Sequence, residues 1–348
     1  PALRWRWIPG GMSLPDSMIP EPTEIPRSSE PSIVPSEPLE GLITIGETVV
    51  GRLRLMDTKD GAPVLRGTWH DLSSGHLVSS RDFGAGDSFQ FAYVGRGVGD
   101  RELFAIGEFE PSFDSNPGSL RGGVTLIDGL TGVVIATRGG DRPGDKLLQV
   151  ASAGDFDGDG IDDVVVGATQ WERGGFGYGR VLSGRDLSML AETRGRFAGD
   201  HCGWRVCPVG DVDEDGFADV AIALPNAQPT GFGSGEVRVL FGPNGFRVRR
   251  IMGDLLGTDM GREIATAAPD PGGPLNGLWI LNDKGKEARL HTGPDLVVER
   301  VLRRKEKGWV GATGAGAFVW LGPGGDVLVE GRGQAMGLSG SSGVGLRR

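Results

Sequence analysis

The chain has 348 residues, 62 of them glycine, and its 36 basic and 46 acidic side chains leave a net charge of −10. An acidic chain without a basic stripe excludes a nucleic-acid-binding surface, and no apolar run approaches the length of a membrane span. The glycines follow no Gly-X-Y period, which excludes a collagen-like chain.

The first residues include Trp5-Arg-Trp7-Ile8, too short an alternation to define a membrane or nucleic-acid surface. The chain opens on Pro1, so it reads as processed, as a fragment, or as one whose true start is Met12. Residues 13–40 are rich in Pro, Ser and Glu, as in Pro26-Arg-Ser-Ser-Glu-Pro31 and Pro35-Ser-Glu-Pro38. Such a composition cannot build a core. Residues 1–40 are therefore expected to be a disordered, Pro-rich segment, and the folded region to span 41–348.

From there the chain repeats. Gly86-Asp87, Gly144-Asp145, Gly199-Asp200 and Gly257-Thr258 recur at intervals of 58, 55 and 58 residues. A second marker is a short turn between apolar runs, at Asp57–Gly61, Asp128–Gly132, Ser183–Asp186, Gly242–Gly245, Asn282–Gly285 and Gly322–Gly325. Flanking runs such as Val237-Arg-Val-Leu-Phe241 and Phe318-Val-Trp-Leu321 read as strands and the turns as hairpins. No stretch sustains a helical period. Units of this length built from short strands predict an all-β fold, a β-propeller of four-stranded blades. Six blades are recognisable, the outer ones near residues 41–85 and 295–340 showing strands and turns but no acidic loop; a seventh would lie upstream or be completed near residues 41–50. In a propeller the glycines fill tight turns and crowded contacts between blades.

Two of the units carry a loop of the form D-x-D-x-D-G-x-x-D. They are Asp155-Phe-Asp157-Gly-Asp159-Gly160-Ile161-Asp-Asp163 and Asp211-Val-Asp213-Glu-Asp215-Gly216-Phe217-Ala-Asp219. Four carboxylates on one short loop repel each other unless a cation sits between them. An all-oxygen, multiply charged set on a flexible loop suits Ca²⁺. Position twelve, where an EF-hand needs a bidentate Glu, is Val166 or Ile222, and a strand-like run follows, so an EF-hand is excluded. Elsewhere the loop has decayed, to Arg96-Gly-Val-Gly-Asp100 and to Ala268-Pro-Asp270-Pro-Gly-Gly273, and neither is expected to hold metal well.

The longer pattern resembles the FG-GAP repeat of integrin α-subunit β-propellers and their bacterial relatives. Its marks here are Gly199-Asp200-His-Cys-Gly203 before the second loop and Ala221-Ile-Ala-Leu-Pro225 after it, with Cys202 where Phe is usual. Two repeats match well, over about residues 144–256. The resemblance implies two calcium sites. One comprises Asp155, Asp157, Asp159 and Asp163 with the Ile161 carbonyl; the other comprises Asp211, Asp213, Asp215 and Asp219 with the Phe217 carbonyl. Both loops should join the first two strands of their blades, on one face and in adjacent blades, with Glu214 facing solvent. Two ions would bring the net charge from −10 to −6. The resemblance also implies an extracellular, cell-surface or periplasmic binding or adhesion module for a protein or glycan ligand, as part of a larger chain.

No catalytic motif emerges. The histidines His70, His76, His201 and His291 stand in no metal-binding or nucleophile context. Gly175-Phe-Gly177-Tyr-Gly179 precedes a strand-like run rather than a helix, which excludes a dinucleotide loop. Cys202 and Cys207, five apart, should face opposite sides of a strand and act in packing. The basic run Arg300–Lys307 reads as a solvated strand face. The alternative function is a propeller enzyme acting on an extracellular polysaccharide, its residues gathered from several blades. A cleft lined by His, Arg and carboxylates outside the loops would favour the enzyme, and exposed aromatics would favour binding.

Overall fold

The computed structural model describes residues 40–338, apart from 46–48, 57–63, 72–73, 75, 86–87, 100, 110–121, 143–144, 146, 148, 171–173, 255–256, 268–275, 283–285, 304–308, 313–317, 322–326 and 332–333. The Pro-rich segment thus lies outside the described residues. Among the described residues, twenty-four strands form six four-stranded antiparallel sheets, each ordered as in the chain. The first blade holds β1 (Glu40–Ile45), β2 (Val49–Met56), β3 (Val64–Asp71) and β4 (Leu77–Ala85). The second holds β5 (Ser88–Arg96), β6 (Glu102–Phe109), β7 (Gly123–Asp128) and β8 (Val134–Gly139). The third holds β9 (Gln149–Gly154), β10 (Asp163–Ala168), β11 (Tyr178–Leu182) and β12 (Met189–Arg194). The fourth holds β13 (Val206–Gly210), β14 (Asp219–Leu224), β15 (Glu236–Leu240) and β16 (Val248–Met252). The fifth holds β17 (Ile264–Ala267), β18 (Gly277–Asn282), β19 (Glu287–Thr292) and β20 (Val297–Arg303). The sixth holds β21 (Trp309–Ala312), β22 (Phe318–Leu321), β23 (Val327–Gly331) and β24 (Gln334–Leu338). No helix of the described residues is long and apolar enough to cross a membrane.

The first strands β5, β9, β13, β17 and β21 neighbour one another in turn, so the blades stack face to face. Both faces of a middle strand are then covered, which is why β10 and β14 are wholly buried and read as unbroken apolar runs. The fourth strands lie outermost, and β16 and β20 are mostly exposed. The basic run at 300–303 is on β20, a solvated face as expected; the rest of that run lies outside the described residues.

The core is a series of layers between blades. Side-chain alternation along a strand splits each middle strand between two layers. Val164 and Val166 face the second blade, with Leu103 and Leu126, while Val165 faces the fourth, with Ile222 and Leu240. Ala221 and Ala223 face the fifth blade with Leu278 and Ile280. The two cysteines separate in the same way: Cys202 packs between the third and fourth blades and Cys207 between the fourth and fifth. Both are unpaired, and burial pushes both thiols up to about 12. Between the first and second blades, Trp69 is fully buried and its indole N–H donates to the Gly129 carbonyl (2.7 Å). Backbones touch where one blade leads into the next. A Cβ on Gly167 would lie 2.3 Å from the Gly203 carbonyl oxygen, and Gly203 itself has φ +83°. No larger residue fits either position.

Arginines on the third strands clasp neighbouring blades. Arg180 pairs with Glu192 of its own blade and with Asp141, in the connection before it. Arg238 pairs with Glu236 and donates to Thr193 Oγ1 (2.8 Å) and the Arg194 carbonyl (2.6 Å) of the preceding blade. Arg289 pairs with Glu287 and reaches Asp254.

The structure corrects two details of the sequence reading. The turns at Asp128–Gly132, Ser183–Asp186 and Gly242–Gly245 join third and fourth strands, whereas those at 57–61, 282–285 and 322–325 fall between second and third strands. The six markers are not equivalent, because a turn sequence signals a hairpin without saying which one. The last unit, expected from about residue 295, starts later, at β21, because β20 closes the fifth blade.

Candidate metal centre

Both acidic loops join the first two strands of their blades: residues 155–162 link β9 to β10, and 211–218 link β13 to β14. Their blades are neighbours, and the loops lie at the same end of them. The sixth-position glycines, Gly160 (φ +82°) and Gly216 (φ +93°), turn the chain so that alternate side chains converge. The carboxylates of Asp155, Asp157 and Asp159 each bring an oxygen within 4.8 Å of the other two, as do those of Asp211, Asp213 and Asp215. Two like charges at that distance repel by roughly 3 kcal/mol at an effective dielectric of about 20.

Backbone N–H groups relieve part of this repulsion. Asp155 accepts from Gly158 (2.8 Å) and Gly160 (3.1 Å); Asp211 accepts from Asp215 (3.0 Å) and Gly216 (2.9 Å). Asp159 accepts from Ile161 N–H and Asp215 from Phe217 N–H. An arginine from the outer hairpin of each blade also reaches in. Arg185 pairs with Asp159 (2.9 Å) and Arg247 pairs with Asp213. One acceptor is left over: Asp213 is only 4% exposed and its Oδ1 has no hydrogen-bond partner. A buried anionic oxygen without a donor is costly, and a cation between the three carboxylates satisfies it. The donor set is all oxygen, which fits Ca²⁺ rather than a thiophilic metal.

The ninth-position carboxylates stand apart from these triplets. Asp163 accepts from Phe156 N–H (3.0 Å) with one oxygen and from Gly184 N–H (2.9 Å) with the other. Asp219 does the same with Val212 N–H (2.9 Å) and Gly242 N–H (3.1 Å). Each ties its loop to the hairpin between third and fourth strands. Burial pushes both carboxyls up to about 7. The even positions divide: Phe156 and Val212 are buried in the layer toward the next blade, while Glu214 is exposed as expected. The arginines and the clamp of the ninth aspartate had no signal in the sequence. Arg185 and Arg247 sit at different places in their turns, and an aspartate that clamps looks the same as one that binds.

Antiparallel order puts the hairpins between second and third strands, and the connections between blades, at the opposite end from the acidic loops. There an open cleft of about 690 Å³ is lined by Phe197, Asp200, Asn226, Gln228, Phe232 and Asp259. Phe197 and Phe232 are 68% and 77% exposed. Neither His nor Arg lines it. His201 has a local role close by, stacked on Trp204 and bonded to Asn226 (3.0 Å). Gly175–Gly179 leads into β11, which agrees with the exclusion of a dinucleotide loop.

Six stacked four-stranded sheets define a β-propeller. The crystal structure of the Saccharomyces cerevisiae Sqt1, a propeller protein, is similar over 83% of this chain and 79% of that one, with a TM-score of 0.50 and 11% identity. At that identity the likeness concerns the fold alone. Residues 149–182, from β9 through the first acidic loop to β11, match the FG-GAP repeat. The protein is thus a propeller bearing an FG-GAP repeat, and residues 211–219 repeat its loop geometry in the next blade. No curated protein matches the chain.

Proposed function

We propose that this protein is a calcium-stabilised β-propeller that serves outside the cytoplasm, in an extracellular, cell-surface or periplasmic setting, as a binding or adhesion module. The observation that carries the reading is the pair of carboxylate triplets, one of which includes Asp213, whose Oδ1 is buried without a hydrogen-bond partner. Calcium would be held by Asp155, Asp157 and Asp159 in one loop and by Asp211, Asp213 and Asp215 in the other. The carbonyls of Ile161 and Phe217 would add to the shells, and Asp163 and Asp219, whose oxygens each keep a lone pair beside the one N–H they accept, would join them while still clamping the loops. Such ions close loops and serve the fold, and weak calcium sites are filled where calcium is plentiful.

The ligand, a protein or a glycan, would meet the other end of the propeller. Exposed aromatics around a cleft without His or Arg support binding over catalysis. The test is a glycan and protein-ligand array probed with and without calcium. Binding lost in Phe197→Ala and Phe232→Ala variants that still melt like the parent is the expected result. Turnover of an arrayed polysaccharide would instead establish the enzyme reading.

A further inference from the structure

The two acidic loops are not independent parts. The N–H of Ala218, at the eighth position of the second loop, donates to the carbonyl of Asp155, at the first position of the first loop (3.0 Å). The same bond recurs one blade earlier, where Asp162 N–H donates to the Arg96 carbonyl (2.8 Å). It is therefore a regular feature of adjacent blades. Here alone both ends belong to acidic loops. The Phe217 ring lies on Gly158 so closely that a Cβ there would sit 2.5 Å from it. A Cβ on Gly242, whose N–H is held by Asp219, would lie 2.7 Å from the Phe156 carbonyl oxygen. Residues 217–218 of the second loop and its partner hairpin thus rest on residues 155–158 of the first.

We propose that the two calcium sites are coupled, so that filling the loop of the third blade strengthens binding in the loop of the fourth. This rests on the calcium reading above. Empty, the first loop holds three mutually repelling carboxylates, balanced only by backbone N–H groups and Arg185. A cation fixes Asp155 and Gly158 together. The Phe217–Ala218 segment, which supplies the carbonyl for the second ion, then has a fixed platform and loses less freedom on binding. Phe217 is a positioning residue through its ring as well as a ligand through its carbonyl. Coupling free energy is reciprocal, so emptying either site must weaken the other by the same factor.

Calorimetric titration of the full chain with CaCl₂ tests this. We expect the parent to bind two ions with a Hill coefficient above one. Asp157→Asn should bind one ion about fivefold or more weakly than the parent binds its second, and Asp213→Asn should weaken the first site by a matching factor. In a Phe217→Ala background the effect of Asp157→Asn on the second site should shrink toward none. A parent isotherm of independent sites would overturn the coupling, and so would an Asp157→Asn constant within about twofold of the parent's second step. The parent isotherm decides even where a variant does not fold. Absence of any calcium heat would defeat the calcium reading and the coupling with it.

Discussion

The third and fourth blades and the second blade solve the same problem in different ways. Each must turn the chain between its first and second strands at the same end of the propeller. In the second blade the turn is short, 97–101, and Gly97 N–H closes it on the Arg101 carbonyl (2.7 Å). Arg96 stands where the others have their first aspartate. In the third and fourth blades the link is eight residues long and its side chains are aspartates, which push the loop open. A long loop gives the blade a wide edge for its neighbour to rest on, as Phe217 rests on Gly158. Under the calcium reading proposed above, a cation would hold that edge in place. The comparison separates a turn closed by one backbone bond from loops that gather three carboxylates.

The largest expected effect falls on the blades with acidic loops alone. A ligand that binds only the folded state stabilises it by close to 3 kcal/mol per site at hundredfold excess over Kd. Scanning calorimetry should therefore show a higher Tm in calcium than in chelator. Magnesium should do little, since it dehydrates reluctantly and prefers fewer protein ligands. In the double variant Asp157→Ala with Asp213→Ala the calcium shift should vanish. Equal shifts from magnesium and calcium would count against the assignment.

Next come the arginine clasps, which the blades with and without acidic loops share. Glu236 is 1% exposed; burial raises its pKa, but Arg250 and Arg238 more than offset this and hold it below the usual range. Arg238→Ala removes one of those partners and two bonds to the third blade. It should cost about 3 kcal/mol, because truncating a buried pair leaves charge uncompensated. Arg289→Ala in the fifth blade should cost less, about 1 kcal/mol, since Arg303 still pairs with the buried Glu287 and the bond outside the blade reaches only Asp254, which is 56% exposed and screened by solvent. Urea denaturation gives both values. They should be the same in calcium and in chelator; a calcium-dependent cost would mean that clasps and loops are not separate devices.

The sequence displays one side of this comparison far better than the other. The lead-ins Gly86-Asp87, Gly144-Asp145 and Gly199-Asp200 precede the first strands β5, β9 and β13 in the chain, and at Gly199 the backbone has φ +88°, a conformation that favours glycine. The triplet aspartates are legible because their chemistry is local: three carboxylates within five residues of chain. The clasps are not, since Arg180 and Asp141 are 39 residues apart and nothing near either names the other. Asp163 and Asp219 match the ligands in type, so only their N–H partners at Gly184 and Gly242 reveal the clamp. The cleft bounded by Phe197 and Phe232 is assembled from two connections and a hairpin, which no linear scan joins.

The smallest expected effect distinguishes the two acidic loops from each other. Each is partly neutralised by an arginine of its own blade, but not equally. Arg247 stacks over Phe241 (4.1 Å) and pairs with Asp213, a side chain 4% exposed. Arg185 pairs with Asp159, which is 26% exposed. A cation entering the fourth-blade loop must displace or outcompete a guanidinium that sits against a nearly buried carboxylate. In the third blade water already screens the equivalent pair. Arg247→Gln should therefore tighten calcium binding at the fourth-blade site, by a factor of roughly two to five, the range that follows from an ion pair worth up to about 1 kcal/mol. Arg185→Gln should change the third-blade site by less. Competition against a fluorescent calcium chelator measures both. If Arg247→Gln weakens binding instead, the guanidinium is holding Asp213 in place for the ion, and the arginine belongs to the metal site rather than opposing it.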